Sequence, residues 1–127
     1  MGKLIIIAHR GRTSLIDSEN TIEAFQSAID LGISCIEFDL RRAKDGQIVC
    51  YHDESIDGIK ISDLNYDRIL ALSQAKGFII PLFEDILKLC CGKIGLDIEL
   101  KEEGYEDIIG SIVLKYLNYS QIRDKII

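Results

Sequence analysis

The sequence predicts a parallel α/β fold, and three observations carry that prediction. The chain opens on a continuous apolar run, Leu4-Ile5-Ile6-Ile7-Ala8, the pattern of a strand buried on both faces. Strand-like and helix-like segments then alternate to the end of the chain. Finally, the strand-like segments finish on charged or titratable residues: His9-Arg10, Glu37 with Asp39, and Glu99 with Lys101. In parallel α/β folds, ligands sit at those carboxyl ends.

The first strand spans Lys3–His9 and gives way to a polar loop through Ser18. A helix is predicted from about Thr21 to Leu31. Asn20 or Thr21 can cap it, Ile22, Phe25, Ala28 and Ile29 form its apolar stripe, and Gly32 closes it in the left-handed conformation. The second strand is Ser34–Arg41 and the third Ile48–His52. Too few residues separate them for a parallel crossover, so they form a hairpin. Asp45-Gly46 is the favoured two-residue turn pair, which matches Lys44 with Gln47 and sets Asp39 directly opposite His52. A one-residue slip would move His52 to the other face.

Asp53–Ile61 is predicted to be a loop, and Ser62 to cap a short helix ending near Ser73. Pro81 opens a helix over Leu82–Cys91, which Gly92 ends. In the strand Ile94–Lys101, Ile94, Leu96, Ile98 and Leu100 face one way, and Asp97, Glu99 and Lys101 the other. A helix follows from about Tyr105 to Leu117, and Lys125–Ile127 reads as the first residues of a further strand.

Within the strand Cys35-Ile36-Glu37-Phe38-Asp39-Leu40, the two acids project from one face, roughly 6–7 Å apart, while Ile36, Phe38 and Leu40 project from the other. Such a face is either solvated or holds a cation between the carboxylates. A hard divalent cation with oxygen ligands suits the second case. The convergence of strand ends adds Glu99 as a third carboxylate, His9 and His52 as groups that exchange protons near neutral pH, and Arg10 and Lys101 as phosphate ligands.

The chain has 127 residues, enough for one core, with 47% hydrophobic and 28% charged residues and a formal net charge of −6. That balance argues against a nucleic-acid backbone as partner. Leu4–Ala8 is too short for a signal sequence or a membrane span. Cys35, Cys50, Cys90 and Cys91 show no metal-type spacing and read as small buried hydrophobes, so a reduced, cytoplasmic setting is expected.

Together, His9-Arg10-Gly11, Glu19-Asn20-Thr21 with Phe25, Glu37-Phe38-Asp39, Asp45-Gly46 with His52-Asp53, and Leu96-Asp97-Ile98-Glu99-Leu100-Lys101 resemble the glycerophosphodiester phosphodiesterase family. The resemblance runs through the whole chain in order. It implies a TIM-type (β/α)8 barrel with a small insertion after the second strand, here Gln47–Ser73. It also implies hydrolysis of small-molecule glycerophosphodiesters to glycerol 3-phosphate and an alcohol. Under it, Glu37, Asp39 and Glu99 hold one divalent cation, Ca²⁺ or Mg²⁺, His9 and His52 are the acid/base pair, Arg10 and Lys101 bind the phosphate, and Glu19 supports the site. Ser18 stands where the family usually has proline. Phosphatidylinositol- and sphingomyelin-cleaving phospholipases share the two-histidine layout but fit Glu37-x-Asp39 and Leu96–Lys101 less well.

The family barrel needs roughly 250 residues, so this chain holds about three and a half of eight βα units. The expectation is a domain truncated to about its first half, with sheet edges through which a homodimer could form. Little turnover is expected of an isolated monomer. The alternative is a non-catalytic remnant that folds or self-associates and at most binds a divalent cation.

Overall fold

The computed structural model describes residues 7–11, 19–90, 92–101 and 103–116. The predicted start of the first strand and the terminal Lys125–Ile127 lie outside them. The elements are β1 (Ile7–His9), α1 (Ile22–Asp30), β2 (Cys35–Arg42), β3 (Ile48–Cys50), β4 (Ser55–Ile56), β5 (Ile59–Lys60), a 3₁₀ turn (Ile61–Asp63), α2 (Tyr66–Ala75), α3 (Phe83–Cys90), β6 (Gly95–Leu100) and α4 (Glu106–Tyr116).

β2 is the central strand. It pairs in parallel with β1 (Ile7 to Cys35, His9 to Glu37) and with β6 (Cys35 to Gly95, Asp39 to Glu99). Its last residues pair antiparallel with β3 (Leu40 to Cys50, Arg42 to Ile48). Leu40 pairs with both Leu100 and Cys50, so β6 and β3 flank opposite edges, and β3 takes over the edge that β1 leaves at Glu37. The predicted parallel α/β arrangement is thus present, with strand carboxyl ends gathered at one end of the sheet.

The apolar side of β2 makes the core. Ile36, Phe38 and Leu40 are fully buried against Phe25 and Ala28 of α1, Phe83, Ile86 and Leu87 of α3, and Ile109 of α4. The Phe38 ring sits between those of Phe25 (5.6 Å) and Phe83 (6.2 Å). Each such side chain contributes about 1.5–3 kcal/mol by leaving water, which holds β2 rigid under the acids on its other face. Tyr105, just before α4, is buried too and donates its hydroxyl to the Leu40 carbonyl at 2.7 Å. A smaller core of Val49, Ile56, Ile61, Leu64, Ile69 and Ile80 lies beneath α2.

α1 matches its prediction, with Thr21 Oγ1 accepting from the Ala24 N–H and Gly32 at φ +72°. Three local expectations are corrected. The β2–β3 hairpin closes through three residues, not two: Ala43 donates to Gln47 O, and Gly46 alone takes positive φ (+86°). The register therefore slips by one, and Tyr51 N–H, rather than His52, meets the Asp39 carbonyl (3.1 Å). The two-residue turn lies instead at Asp57-Gly58, where both residues have positive φ (51° and 76°) and Ile56 pairs with Ile59. So Asp53–Ile61 contains a hairpin rather than a plain loop. Lastly, α2 begins at Tyr66, not Ser62. Leu64 is extended because its carbonyl accepts from Lys44 N–H (2.8 Å), and Asp45 reaches across to accept from Tyr66 N–H (3.1 Å) in place of a local cap.

Candidate active site

The site is built on β2, with β1 and β6 supplying its flanks. Arg10 follows β1 in the left-handed conformation (φ 53°), uncommon for a non-glycine residue. This turn aims its backbone N–H at Glu37 Oε2 (3.2 Å). Its guanidinium pairs with Glu19 Oε2 (Nη1, 2.6 Å) and lies 3.4 Å from Asp39 Oδ2 through Nε. Gly11 comes next at φ +72°, where a Cβ would run into the Phe25 ring. The tight His9-Arg10-Gly11 turn is therefore seated directly on the core.

Asp39 is the hub. It is 1% exposed, yet four side chains reach it or its neighbours. The Asn20 amide donates to Asp39 Oδ2 (3.1 Å), and Arg10 Nε and Lys101 Nζ (3.5 Å from Oδ1) supply positive charge. Lys101 Nζ also bonds Glu99 Oε1 at 2.8 Å. His9 Nε2 is 3.4 Å from Glu37 Oε2.

Glu37, Asp39 and Glu99 can each offer a carboxylate oxygen within 4.8 Å of the others. Two buried oxygens of this set, Glu37 Oε1 and Asp39 Oδ1, have no hydrogen-bond partner among the described residues. The 3.5 Å approach of Lys101 is an ion-pair contact, too long for a strong hydrogen bond. Buried, unsatisfied carboxylate oxygens facing a third carboxylate are the donor set that a hard cation requires, so the residues present fit one.

The electrostatics agree with an under-neutralised cluster. Burial pushes the Glu37 carboxyl up, and repulsion from Asp39 adds to this, against the Arg10 N–H and His9. The hydrogen bond from Lys101 holds Glu99 below the usual carboxylate range. Lys101 is raised by the same bond. For Arg10, burial works against the charge, but the Glu19 contact and the nearby carboxylates outweigh it.

His52 is not the residue opposite Asp39, because the hairpin slip sets Tyr51 there and β3 ends at Cys50. Its carbonyl accepts from Arg41 Nε (3.0 Å) and Nη2 (2.7 Å), and its Nδ1 is 2.8 Å from Asp53 Oδ1. It lines a cavity of about 280 Å³ with Glu19, Asn20, Tyr51, Asp53 and Phe78. Asn20, read from sequence only as a possible cap, is a site residue: it takes positive φ (55°), and its N–H donates to the Arg10 carbonyl (2.7 Å). The sequence signals for that role were its place in the Glu19-Asn20-Thr21 motif and a second polar residue before a cap that Thr21 already supplies. Asp97, opposite Glu37 in the ladder, is outside the carboxylate cluster.

An α/β sheet whose parallel strands converge on three carboxylates, an arginine and a lysine defines an α/β chain with a cation-competent strand-end site. The chain belongs to the glycerophosphoryl diester phosphodiesterase family, whose sequence profile it matches over residues 9–126. It is 34% identical over 126 residues to the Bacillus subtilis (strain 168) protein YhdW, covering 87% of this chain and 51% of that one. A glycerophosphodiester phosphodiesterase of Bacillus altitudinis is 29% identical, with 96% and 56% covered. Among solved structures, the glycerophosphodiester phosphodiesterase of Thermotoga maritima superposes with a TM-score of 0.80 at 29% identity, covering 93% of this chain and 53% of that one. The Parabacteroides distasonis ATCC 8503 enzyme gives 0.76 at 26%, with 96% and 54% covered. The chain thus spans about half the length of the curated relatives it matches. Among the described residues no helix is long and apolar enough to cross a membrane.

Proposed function

We propose that this chain supplies the cation- and phosphate-binding part of a site that hydrolyses glycerophosphodiesters to glycerol 3-phosphate and an alcohol. The observation that carries this reading is the meeting of Glu37, Asp39 and Glu99 within 4.8 Å, with two buried oxygens unsatisfied. Family membership supports the substrate class.

Glu37, Asp39 and Glu99 would hold one divalent cation, Ca²⁺ or Mg²⁺. When bound, it supplies Lewis-acid stabilisation of charge developing on a phosphoryl oxygen. Arg10 and Lys101 would bind the other phosphate oxygens. Both cations now lean on Asp39, and neutralising the carboxylates frees them to engage an anion.

His9 and His52 would move the protons. His9, beside Glu37, takes a proton from the attacking hydroxyl. By family resemblance that hydroxyl is the substrate's own glycerol group, whose oxygen bonds to phosphorus and expels the alcohol. His52, on the cavity wall, returns a proton to the departing alkoxide. Water then opens the cyclic phosphate, with the proton roles reversed. Glu19 keeps Arg10 in place through the 2.6 Å pair.

The test is release of glycerol 3-phosphate by the protein that carries this chain, with His9→Ala and His52→Ala compared to the parent. Each substitution should lower kcat by about 10²–10⁴-fold, the usual contribution of a positioned acid or base. Values within a few-fold of the parent for both variants contradict the assignment.

A further inference from the structure

Arg41 is the third residue on the acid-bearing face of β2. Side chains alternate along a strand, so it projects on the same side as Glu37 and Asp39. In the ladder it pairs with Val49, but its guanidinium reaches further along the return chain, to His52. Nε donates to the His52 carbonyl at 3.0 Å and Nη2 at 2.7 Å. Two donors of one planar group on one oxygen fix both the distance and the direction of the contact.

Strand pairing does not supply that hold. The Tyr51 N–H still meets the Asp39 carbonyl, but β3 has already ended at Cys50. From His52 to Glu54 the chain bends, and β4 starts only at Ser55. The Arg41 fork spans this gap. It ties the rigid central strand to the backbone of a residue whose ring must come within hydrogen-bond reach of a reacting oxygen. The ring has a tie of its own, with Nδ1 2.8 Å from Asp53 Oδ1. When Nδ1–H donates to that carboxylate, Nε2 is the nitrogen that exchanges the proton.

Arg41 also lines a cavity of about 230 Å³ with Glu54, Ile61, Ser62 and Lys101. Phosphate binding beside Lys101 is the competing role. The Nε–Nη2 edge, which could grip a phosphate at two points, is already occupied by the His52 carbonyl, and this favours positioning.

We propose that Arg41 is a positioning residue for proton transfer: it clamps the His52 carbonyl to β2 and so holds the imidazole where it meets the departing alkoxide. The consequence for turnover rests on the function proposed above; the clamp itself does not.

Arg41→Ala, Arg41→Lys, His52→Ala and the Arg41→Ala/His52→Ala double variant are compared in the protein that carries this chain. Glycerol 3-phosphate release is measured at saturating divalent cation, and the histidine ring signals are followed by NMR. Arg41→Ala should lower kcat by about 10–10²-fold, the scale of a misplaced reacting group, with KM within about twofold of the parent. Arg41→Lys keeps the charge and the stem but not the fork, so its kcat should fall between the two. It also carries the test if Arg41→Ala does not fold. Added to His52→Ala, Arg41→Ala should cost less than about twofold, because Arg41 acts through His52. The His52 ring signal should move in the Arg41 variants while that of His9, on β1, stays in place.

A raised KM at unchanged kcat overturns the proposal and makes Arg41 a phosphate ligand. Losses that multiply in the double variant overturn it too, as does an unmoved His52 signal. If His52→Ala itself turns over within a few-fold of the parent, the proton role of His52 is wrong and the positioning role falls with it. An impaired His52→Ala beside parent-like Arg41 variants removes the positioning role alone.

Discussion

The Asn20 amide donates to Asp39 Oδ2 at 3.1 Å while its own carbonyl oxygen accepts from the Cys50 thiol at 3.3 Å. One buried side chain thus ties the loop before α1 to the central acid of β2 and to the end of the hairpin's return strand. The contact survives only because Asn20 sits in the left-handed region (φ 55°), which asparagine tolerates better than most residues.

Asn20→Ala leaves Asp39 Oδ2 and the Cys50 thiol without these partners. Loss of a partner to a buried acid costs about 1–3 kcal/mol, so the urea midpoint should fall by that equivalent with the m-value unchanged. Asn20→Asp places a second acid against Asp39 and should be worse in the absence of divalent cations. Equal stability of Asn20→Ala and the parent would show that the bond is not made in solution.

Gly11→Ala tests the seat of the His9-Arg10-Gly11 turn. The substitution meets both a positive φ and the Phe25 ring. Strained backbone of this kind costs about 1–3 kcal/mol and overpacking a similar amount, so a loss of at least about 2 kcal/mol is expected in chemical denaturation. Gly46→Ala, with φ +86° and open space around it, should lose less, since only the backbone term applies. A reversed order contradicts the packing described.

The parallel sheet, the helices α1, α3 and α4 and the grouping of acids at strand ends were legible because each rests on a local period: apolar alternation in β6, the stripe of α1, the proline before α3. The hairpin register was not. Asp45-Gly46 and Asp57-Gly58 are the same dipeptide, yet only the second forms the two-residue turn. What separates them is tertiary: Asp45 is occupied by the Tyr66 N–H and Lys44 by the Leu64 carbonyl, contacts from about twenty residues away in sequence that no local pattern contains. The same contacts delayed α2 to Tyr66. Asn20 was missed as a site residue for a related reason, since its partners lie on β2 and β3. The Tyr51–Phe78 wall joins residues from separate loops and carries no spacing signal at all.

The buried thiols predict an alkaline limit to stability. Burial pushes Cys90 up to about 12, and Cys50 well above the usual thiol range. In the unfolded chain these thiols ionise near ~8.5. The folded state therefore holds protons that the unfolded state gives up, so their stabilising contribution is complete below pH ~8.5 and is lost as pH rises toward the folded values. Each thiol should add up to about 1.4 kcal/mol of lost stability per pH unit above its unfolded pKa. Urea unfolding at pH 7.5 and 10 should show a smaller decline for Cys90→Ala than for the parent. Identical slopes would mean that Cys90 is open to solvent.

On the function proposed above, Glu37, Asp39 and Glu99 form one divalent-cation site. The most direct measurement is calorimetric titration of the metal-free protein with CaCl₂ and MgCl₂, alongside Glu37→Gln and Asp97→Asn. The parent and Asp97→Asn should bind one ion saturably, and Glu37→Gln should not. At a hundredfold excess of free ion over Kd the parent should gain about 2.7 kcal/mol against unfolding. The same heat and stoichiometry in Glu37→Gln as in the parent, or loss of binding in Asp97→Asn alone, would contradict the account.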